Sequence, residues 1–190
     1  DRTQKRPVIG IVGEIFCRLN TFSNNELVRI IERLGGEVWI SDITEWVWYT
    51  NDEERVRLLR EGKRFSMSML GNKIKQALMH GDEKKLIHPF RHDFAGYEEP
   101  ESVVELLNKA QPYLPRQGSH GEMVMSIGKT LYYYEKGAAG VIDVSPFSCM
   151  NGIVCQSAYP KLSQDLDGFP VKVFFFDGLC ANVESDVEIF

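Results

Sequence analysis

Three cysteines lie just beyond the ends of predicted β-strands, where thiols could act together as metal ligands. They are Cys17, Cys149 and Cys180. The runs before them are short, apolar and rich in β-branched or aromatic residues, and they cover 8–12, 141–144 and 171–176. If the strands are parallel, their carboxyl ends share the sheet edge where open α/β proteins bind ligands. Three thiols there would suit an iron–sulfur cluster with one open position, or zinc with a fourth ligand.

Cys149 has the strongest local pattern of the three. The segment 145–152 joins a predicted strand to a helix start, which would place Cys149 near free backbone amides and a positive helix dipole. Both features favour the thiolate that binds a metal or attacks an electrophile. A packing role in a half-buried turn is the alternative. Taken singly, Cys17 and Cys180 are more typical of structural cysteines, and Cys155 is predicted to lie in the core.

Two carboxylates follow the first and last predicted strands. Glu14 and Asp177 would face the same crevice, and either could bind a polar cofactor or ligand. The alternative is that they cap neighbouring helices. His120, at a predicted helix start, could be a fourth metal ligand, although we favour a solvated cap residue. The sequence contains no Walker motif and no G-x-G-x-x-G, so it predicts no nucleotide site.

The elements that would position these residues alternate along the chain. A capping box at Ser23 and Glu26 predicts a helix after the first strand. A second strand at 37–41 completes a right-handed βαβ unit. Together with the strands at 141–144 and 171–176, this alternation predicts an α/β three-layer sandwich with a mostly parallel sheet, flavodoxin- or Rossmann-like. In a flavodoxin-like order, the first, third and fourth strands would lie side by side.

Residues 43–118 interrupt the alternation. They are rich in helix formers over 55–80, and 102–111 predicts another short helix. A connection this long exceeds what one crossover needs. We interpret 43–118 as a helical insertion within a single α/β domain spanning 1–190, and it could cover the site. Because the chain does not begin with Met, we expect it to be part of a longer polypeptide.

Composition excludes several classes of protein. The net charge of −5 argues against a nucleic-acid-binding surface. No apolar run approaches the roughly 20 residues that span a bilayer, and no signal-peptide pattern opens the chain. Four cysteines at irregular spacing are not typical of a secreted disulfide framework. We therefore expect a cytoplasmic protein that binds neither nucleic acid nor membrane.

Several unusual strings at the two ends of the chain occur together in one known family. They are 6–16, 18–20, 24–25, 37–39 and 44–46 in the first part, then 121–122, 126–129, 146–152 and 176–178. With these strings the chain resembles the large CoA-substrate-specific enzyme activases, which are also known as activators of 2-hydroxyglutaryl-CoA dehydratase. The similarity is to the dehydratase-subunit-like domain of the multidomain members. Residues 50–115 are much less distinctive.

The resemblance implies an electron-transfer function. Members join ATPase activase domains to dehydratase-like regions, in which cysteines hold a four-iron four-sulfur (4Fe-4S) cluster. ATP-driven transfer of a low-potential electron to that cluster starts the radical dehydration of a 2-hydroxyacyl-CoA. The resemblance implies that Cys149 is a cluster ligand, whereas Cys17 and Cys180 match no family pattern.

The resemblance also implies that this chain is only part of the system. Its partners would be the ATPase activase domains, a second dehydratase-like domain that carries further ligands, and a CoA thioester. The cluster would be incomplete or lost in the isolated chain, which would not be catalytic on its own. Two alternatives remain: a non-catalytic flavodoxin-like module for docking or small-ligand binding, and a structural zinc-binding domain.

Overall fold

The computed structural model describes residues 5–116, 119, 121–178 and 182–190. They form two compact units, an α/β unit from 1–41 and 105–190 and a helical unit from 42–104. In chain order the elements are β1 Val8–Gly13, α1 Ile15–Leu19, α2 Leu27–Arg33, β2 Glu37–Ile40, α3 Thr44–Arg60, α4 Met67–Ile87, a 3-10 turn His88–Phe90, α5 Val103–Ala110, α6 Glu122–Glu135, β3 Gly140–Pro146, α7 Met150–Asp165, β4 Val171–Phe176 and α8 Val183–Ile189.

The α/β unit is built on a four-stranded, all-parallel sheet in the order β2-β1-β3-β4. The predicted α/β fold class is therefore confirmed. The first, third and fourth strands lie side by side, as the flavodoxin-like order predicted. Gly13 pairs with Val144 at the end of β1, and Ser145 pairs with Phe175 on β4.

Side chains that alternate along the strands bury both faces of the sheet. On one face, strand residues pack against α2 and α8 in an apolar cluster that includes Ile11, Ile142, Val144, Phe174, Leu27, Ile31 and Val183. The opposite face carries α6 and α7. Trp39 on β2 packs there against Tyr133 of α6, with 4.8 Å between the ring centroids. Helices on both faces of a parallel sheet make a three-layer sandwich.

The predicted capping box is wrong. Helix α2 begins at Leu27, and neither Ser23 nor Glu26 caps it with a side chain. The chain turns through two residues with positive φ, Asn25 and Glu26, which is incompatible with a helical start at Ser23. Asn24 supports this turn, since its Oδ1 accepts from the Leu27 amide at 3.3 Å.

The helical unit occupies most of the segment predicted as an insertion. Within it, α3 packs against α4. The side-chain amide of Asn72 donates from Nδ2 to the backbone carbonyl oxygen of Asn51 over 2.9 Å. Residues from 105 onward belong to the α/β unit, where Lys109 of α5 forms an ion pair of 2.6 Å with Glu135 of α6. No helix in the described part of the chain is long and apolar enough to cross a membrane.

Candidate functional site

The strand order reverses between β1 and β3, since β2 lies outside β1 and β4 lies outside β3. In open α/β sheets this reversal opens a crevice at the carboxyl ends of the two strands. The Glu14 amide donates to the Val144 carbonyl oxygen over 2.9 Å, and this bond holds the start of α1 against β3. We call the carboxyl ends of β1 and β3, together with α1 and the first turn of α7, the β1/β3 edge.

Gly13 makes the close approach at the β1/β3 edge possible. Its φ is +108°, and a Cβ at this position would lie 2.1 Å from the Val144 carbonyl oxygen and 2.5 Å from Oδ1 of Asp143. Neither distance is tolerable for a side chain, and the positive φ is itself unfavourable for other residues. Glycine therefore lets the chain leave β1 directly over β3.

Cys149 lies at this edge as the N-cap residue of α7. Its backbone is extended, with φ −65° and ψ 128°, and its side chain forms no hydrogen bond to the helix. The thiol is half-buried, and the 16-residue helix behind it directs a positive dipole end toward it. A thiolate here could bind a metal or attack an electrophile.

Cys17 occupies a different environment from Cys149, although a charge on Cys149 would affect the Cys17 thiol. It is 2% exposed and belongs to the apolar cluster beneath α2. Burial raises its pKa to about 12, and the charges of Glu14, Asp143 and Cys149 contribute further. The Cys17 thiol is therefore protonated near neutral pH in the folded protein.

The predicted three-thiol site lies only partly within the described residues. Cys180 and His120 lie outside the described residues. Within the described ranges, no three His, Cys, Asp or Glu side chains converge closely enough to hold a metal ion. The role of Cys180 as a ligand remains a prediction, as does the convergence of all three thiols.

The two predicted carboxylates are placed differently. Glu14 caps α1: its Oε2 accepts from the Cys17 amide at 2.7 Å and its Oε1 from the Phe16 amide at 3.0 Å. Glu14 therefore has the helix-capping role that was the alternative to ligand binding. Asp177 is exposed immediately after β4. Ligand binding by either residue remains a prediction.

The sequence did not indicate a buried polar cluster centred on Asp143 of β3. Tyr159 donates its hydroxyl to Oδ2 of Asp143 over 2.6 Å, and the Cys155 thiol lies beside them, 3.4 Å from the Met123 carbonyl oxygen. Burial raises the pKa of Asp143 to about 6, although hydrogen bonds from Tyr159 and Cys155 and the charge of Arg18 oppose the rise. The one available signal was a carboxylate within an otherwise apolar predicted strand.

One further contact and a group of exposed apolar side chains define the edge. Asn151, in the first turn of α7, donates to Oε2 of Glu122 over 2.6 Å and so joins the starts of α6 and α7. Large apolar side chains are exposed on α1 and at the start of α7, and we call them the apolar rim: Phe16, Leu19, Phe147, Met150 and Ile153. Phe147 is 69% exposed and Met150 is 63% exposed, which is unusual for large apolar side chains grouped at one edge.

The chain matches no protein-family model, no curated protein and no solved structure. The family resemblance of its end segments therefore remains a prediction.

Proposed function

We propose that this chain is a dehydratase-like domain of the 2-hydroxyglutaryl-CoA dehydratase activator type. Together with partner domains it would support ATP-driven, low-potential electron transfer for dehydration of a 2-hydroxyacyl-CoA thioester. The observation that carries the proposal is the placement of Cys149, the half-buried cysteine at the start of α7 on the β1/β3 edge.

Accessibility distinguishes Cys149 from its neighbours. Cys17 and Cys155 are 2% and 1% exposed, so a group bound from outside the chain cannot reach either thiol without a rearrangement. Cys149 can be reached without one. All three are free thiols, which supports the reducing cytoplasm that we propose as the setting.

The donor set fits one ligand of a shared 4Fe-4S cluster rather than a complete site. Such a cluster needs several thiolates, and the described residues offer one accessible cysteine at this edge. A bound cluster would supply a low-potential electron. The contribution of this chain is to hold the Cys149 sulfur at a helix N-terminus, on the β1/β3 edge.

The apolar rim supports a partner domain that brings the remaining ligands. Phe147 and Met150 flank Cys149 in sequence, and Phe16 follows β1 at the same edge. A partner seated on these side chains would exclude water from the thiol, which is the setting that low-potential sites require. Docking alone, without metal, is the second candidate function that this rim favours.

The test is anaerobic reconstitution with iron and sulfide, with and without a dehydratase-like partner domain, followed by iron, sulfide and zinc analysis. We expect bound iron and sulfide that are lost in Cys149→Ala. Cys155→Ala is the matched control, because it removes a thiol from the same helix without touching the proposed ligand. Thermal unfolding of each variant verifies folding.

The outcomes separate the candidate functions. Iron that persists in Cys149→Ala, or is absent throughout, would overturn the cluster proposal. Stable zinc lost with any one of Cys17, Cys149 or Cys180 would favour the structural zinc site. A metal-free chain that still binds the partner through its apolar rim would be a docking module.

A further inference from the structure

We propose that the β1/β3 edge contains an oxyanion subsite, formed by Arg18, Ser145 and the N-terminus of α7, for a carboxylate or phosphate group. The assignment to a substrate rests on the proposed function, because an acyl-CoA thioester can carry both groups. The existence of the subsite rests on this chain's own groups and not on the proposed function.

Arg18 is a buried cation with unused hydrogen-bonding capacity. It is 6% exposed, and its Nε has no hydrogen-bond partner among the described residues. A guanidinium remains charged at all relevant pH values and carries five N–H donors, so burying it without partners is costly. A buried polar group without a partner calls for an explanation, and a bound ion that supplies the missing acceptor is one.

The position of Arg18 places its charge beside β3. Arg18 is on α1, which the Glu14–Val144 bond holds against β3. Its charge acts on Asp143, the carboxylate in the middle of β3. Oδ2 of Asp143 already accepts from Tyr159, and in the described structure Arg18 acts on Asp143 through its charge and not through a hydrogen bond. The guanidinium therefore lies near this carboxylate without being neutralised by a direct contact.

Ser145 supplies a second polar atom with no partner. It is 1% exposed, and within the described structure its Oγ makes no hydrogen bond. It lies directly beneath the first turn of α7, because a Cβ at position 152 would come 2.4 Å from Ser145 Oγ. Glycine at 152 therefore lets the first turn of α7 pack directly onto Ser145.

The third element is the N-terminus of α7. This helix has 16 residues, and its N-cap residue, Cys149, provides no side-chain acceptor for the first amides. Free amides and a positive dipole end favour anions. A guanidinium, a hydroxyl and a helix N-terminus are all donors, so their common ligand is an oxyanion; a bidentate carboxylate or phosphate matches the arginine fork.

The test is an NMR titration of the metal-free chain that observes the Nε–H signal of Arg18. Inorganic phosphate and glutarate are added separately, each to about 50 mM, above the millimolar Kd expected of a small oxyanion. We expect a saturable shift of this signal. Saturation by phosphate alone assigns the subsite to a CoA phosphate, and saturation by glutarate alone to an acyl carboxylate; either supports the proposal.

Variants identify the site. Arg18→Gln should abolish saturable binding, and Ser145→Ala should weaken it about tenfold. Arg29→Gln is the matched control, since Arg29 is an exposed arginine on α2. A wild-type Arg18 signal that does not saturate with either anion, or binding unchanged in Arg18→Gln, would overturn the subsite. The wild-type titration tests the subsite even if Arg18→Gln fails to fold. It needs no iron, so a failure of the subsite is distinguishable from a failure of the cluster proposal.

Discussion

The Tyr159 hydroxyl donates to Oδ2 of Asp143 over 2.6 Å, with both side chains buried between β3 and α7. This bond joins the central strand to the helix whose first turn carries Cys149. It also satisfies one oxygen of a carboxylate that burial would otherwise make very unfavourable. The geometry of the candidate site therefore depends on a polar contact one layer beneath it.

The stability of the protein should depend on pH through Asp143. Its pKa is raised from 3.8 to about 6 in the folded state, chiefly by burial. Between pH 3.8 and about pH 6, Asp143 is protonated to a greater extent in the folded protein than in the unfolded chain. Its contribution to the free energy of unfolding therefore falls as pH rises, and most of the loss has occurred once the pH is above about 6. Relative to Asp143→Asn, wild type should lose about 2 kcal/mol of unfolding free energy between about pH 4 and pH 7.

Urea unfolding of wild type and Asp143→Asn at both pH values measures this difference. Asp167→Asn, which changes an exposed aspartate, serves as the control variant. A difference between wild type and Asp143→Asn that is the same at both pH values would show that Asp143 has an ordinary pKa.

Removal of the Tyr159 hydroxyl should destabilise the α/β unit. Tyr159→Phe leaves a buried carboxylate oxygen without its donor, which costs about 1–3 kcal/mol. Tyr113→Phe is the matched control, because Tyr113 donates to Asp165 over 3.2 Å in an exposed position. Its loss should cost less than about 1 kcal/mol. Equal effects of the two substitutions in chemical unfolding would contradict the role given to Tyr159.

A methyl group at position 152 should be unfavourable. The Cβ of Gly152→Ala would lie 2.4 Å from Ser145 Oγ and 2.9 Å from the Phe175 ring, so we expect a loss of about 1–3 kcal/mol. Gly71→Ala, in α4, is the control: a Cβ there has no neighbour within 4 Å, and alanine should stabilise the helix by about 0.5–1 kcal/mol. In thermal unfolding we expect Gly152→Ala to lower the melting temperature and Gly71→Ala to raise it. A lower melting temperature for both variants would indicate a general intolerance of substitutions in the helices.

Cysteine labelling should separate Cys149 from the buried thiols. In the folded protein, Cys149 should react with iodoacetamide first because it is half-buried, whereas Cys17 is 2% exposed and has a pKa of about 12. Peptide mapping by mass spectrometry assigns each modified site, and labelling in denaturant provides the reference rates. Comparable rates for Cys17 and Cys149 in the folded state would contradict this description of the edge.

Local sequence patterns predicted the four strands of the α/β unit and helix α7, but not the short helix α1. The apolar run at 171–176 is β4 with the same bounds, and helix α7 begins within two residues of its predicted start. These predictions succeed because alternation and helix periodicity depend on neighbouring residues. The capping box at Ser23 fails for the opposite reason, since the turn through Asn25 and Glu26 is set by the contact of Asn24 with α1.

The sequence by itself therefore determined the fold class and placed Cys149 between a strand and a helix. Only the tertiary structure decided which strands are neighbours, because pairing between β1 and β3 joins residues more than a hundred positions apart through the burial of both sheet faces. The same packing placed Cys17 in the apolar cluster and left Cys149 half-buried at the edge. It also buried Asp143 against Tyr159. No local spacing specifies this pairing, because Asp143 is on β3 and Tyr159 is on α7, and the two elements meet only when the helix packs on the sheet.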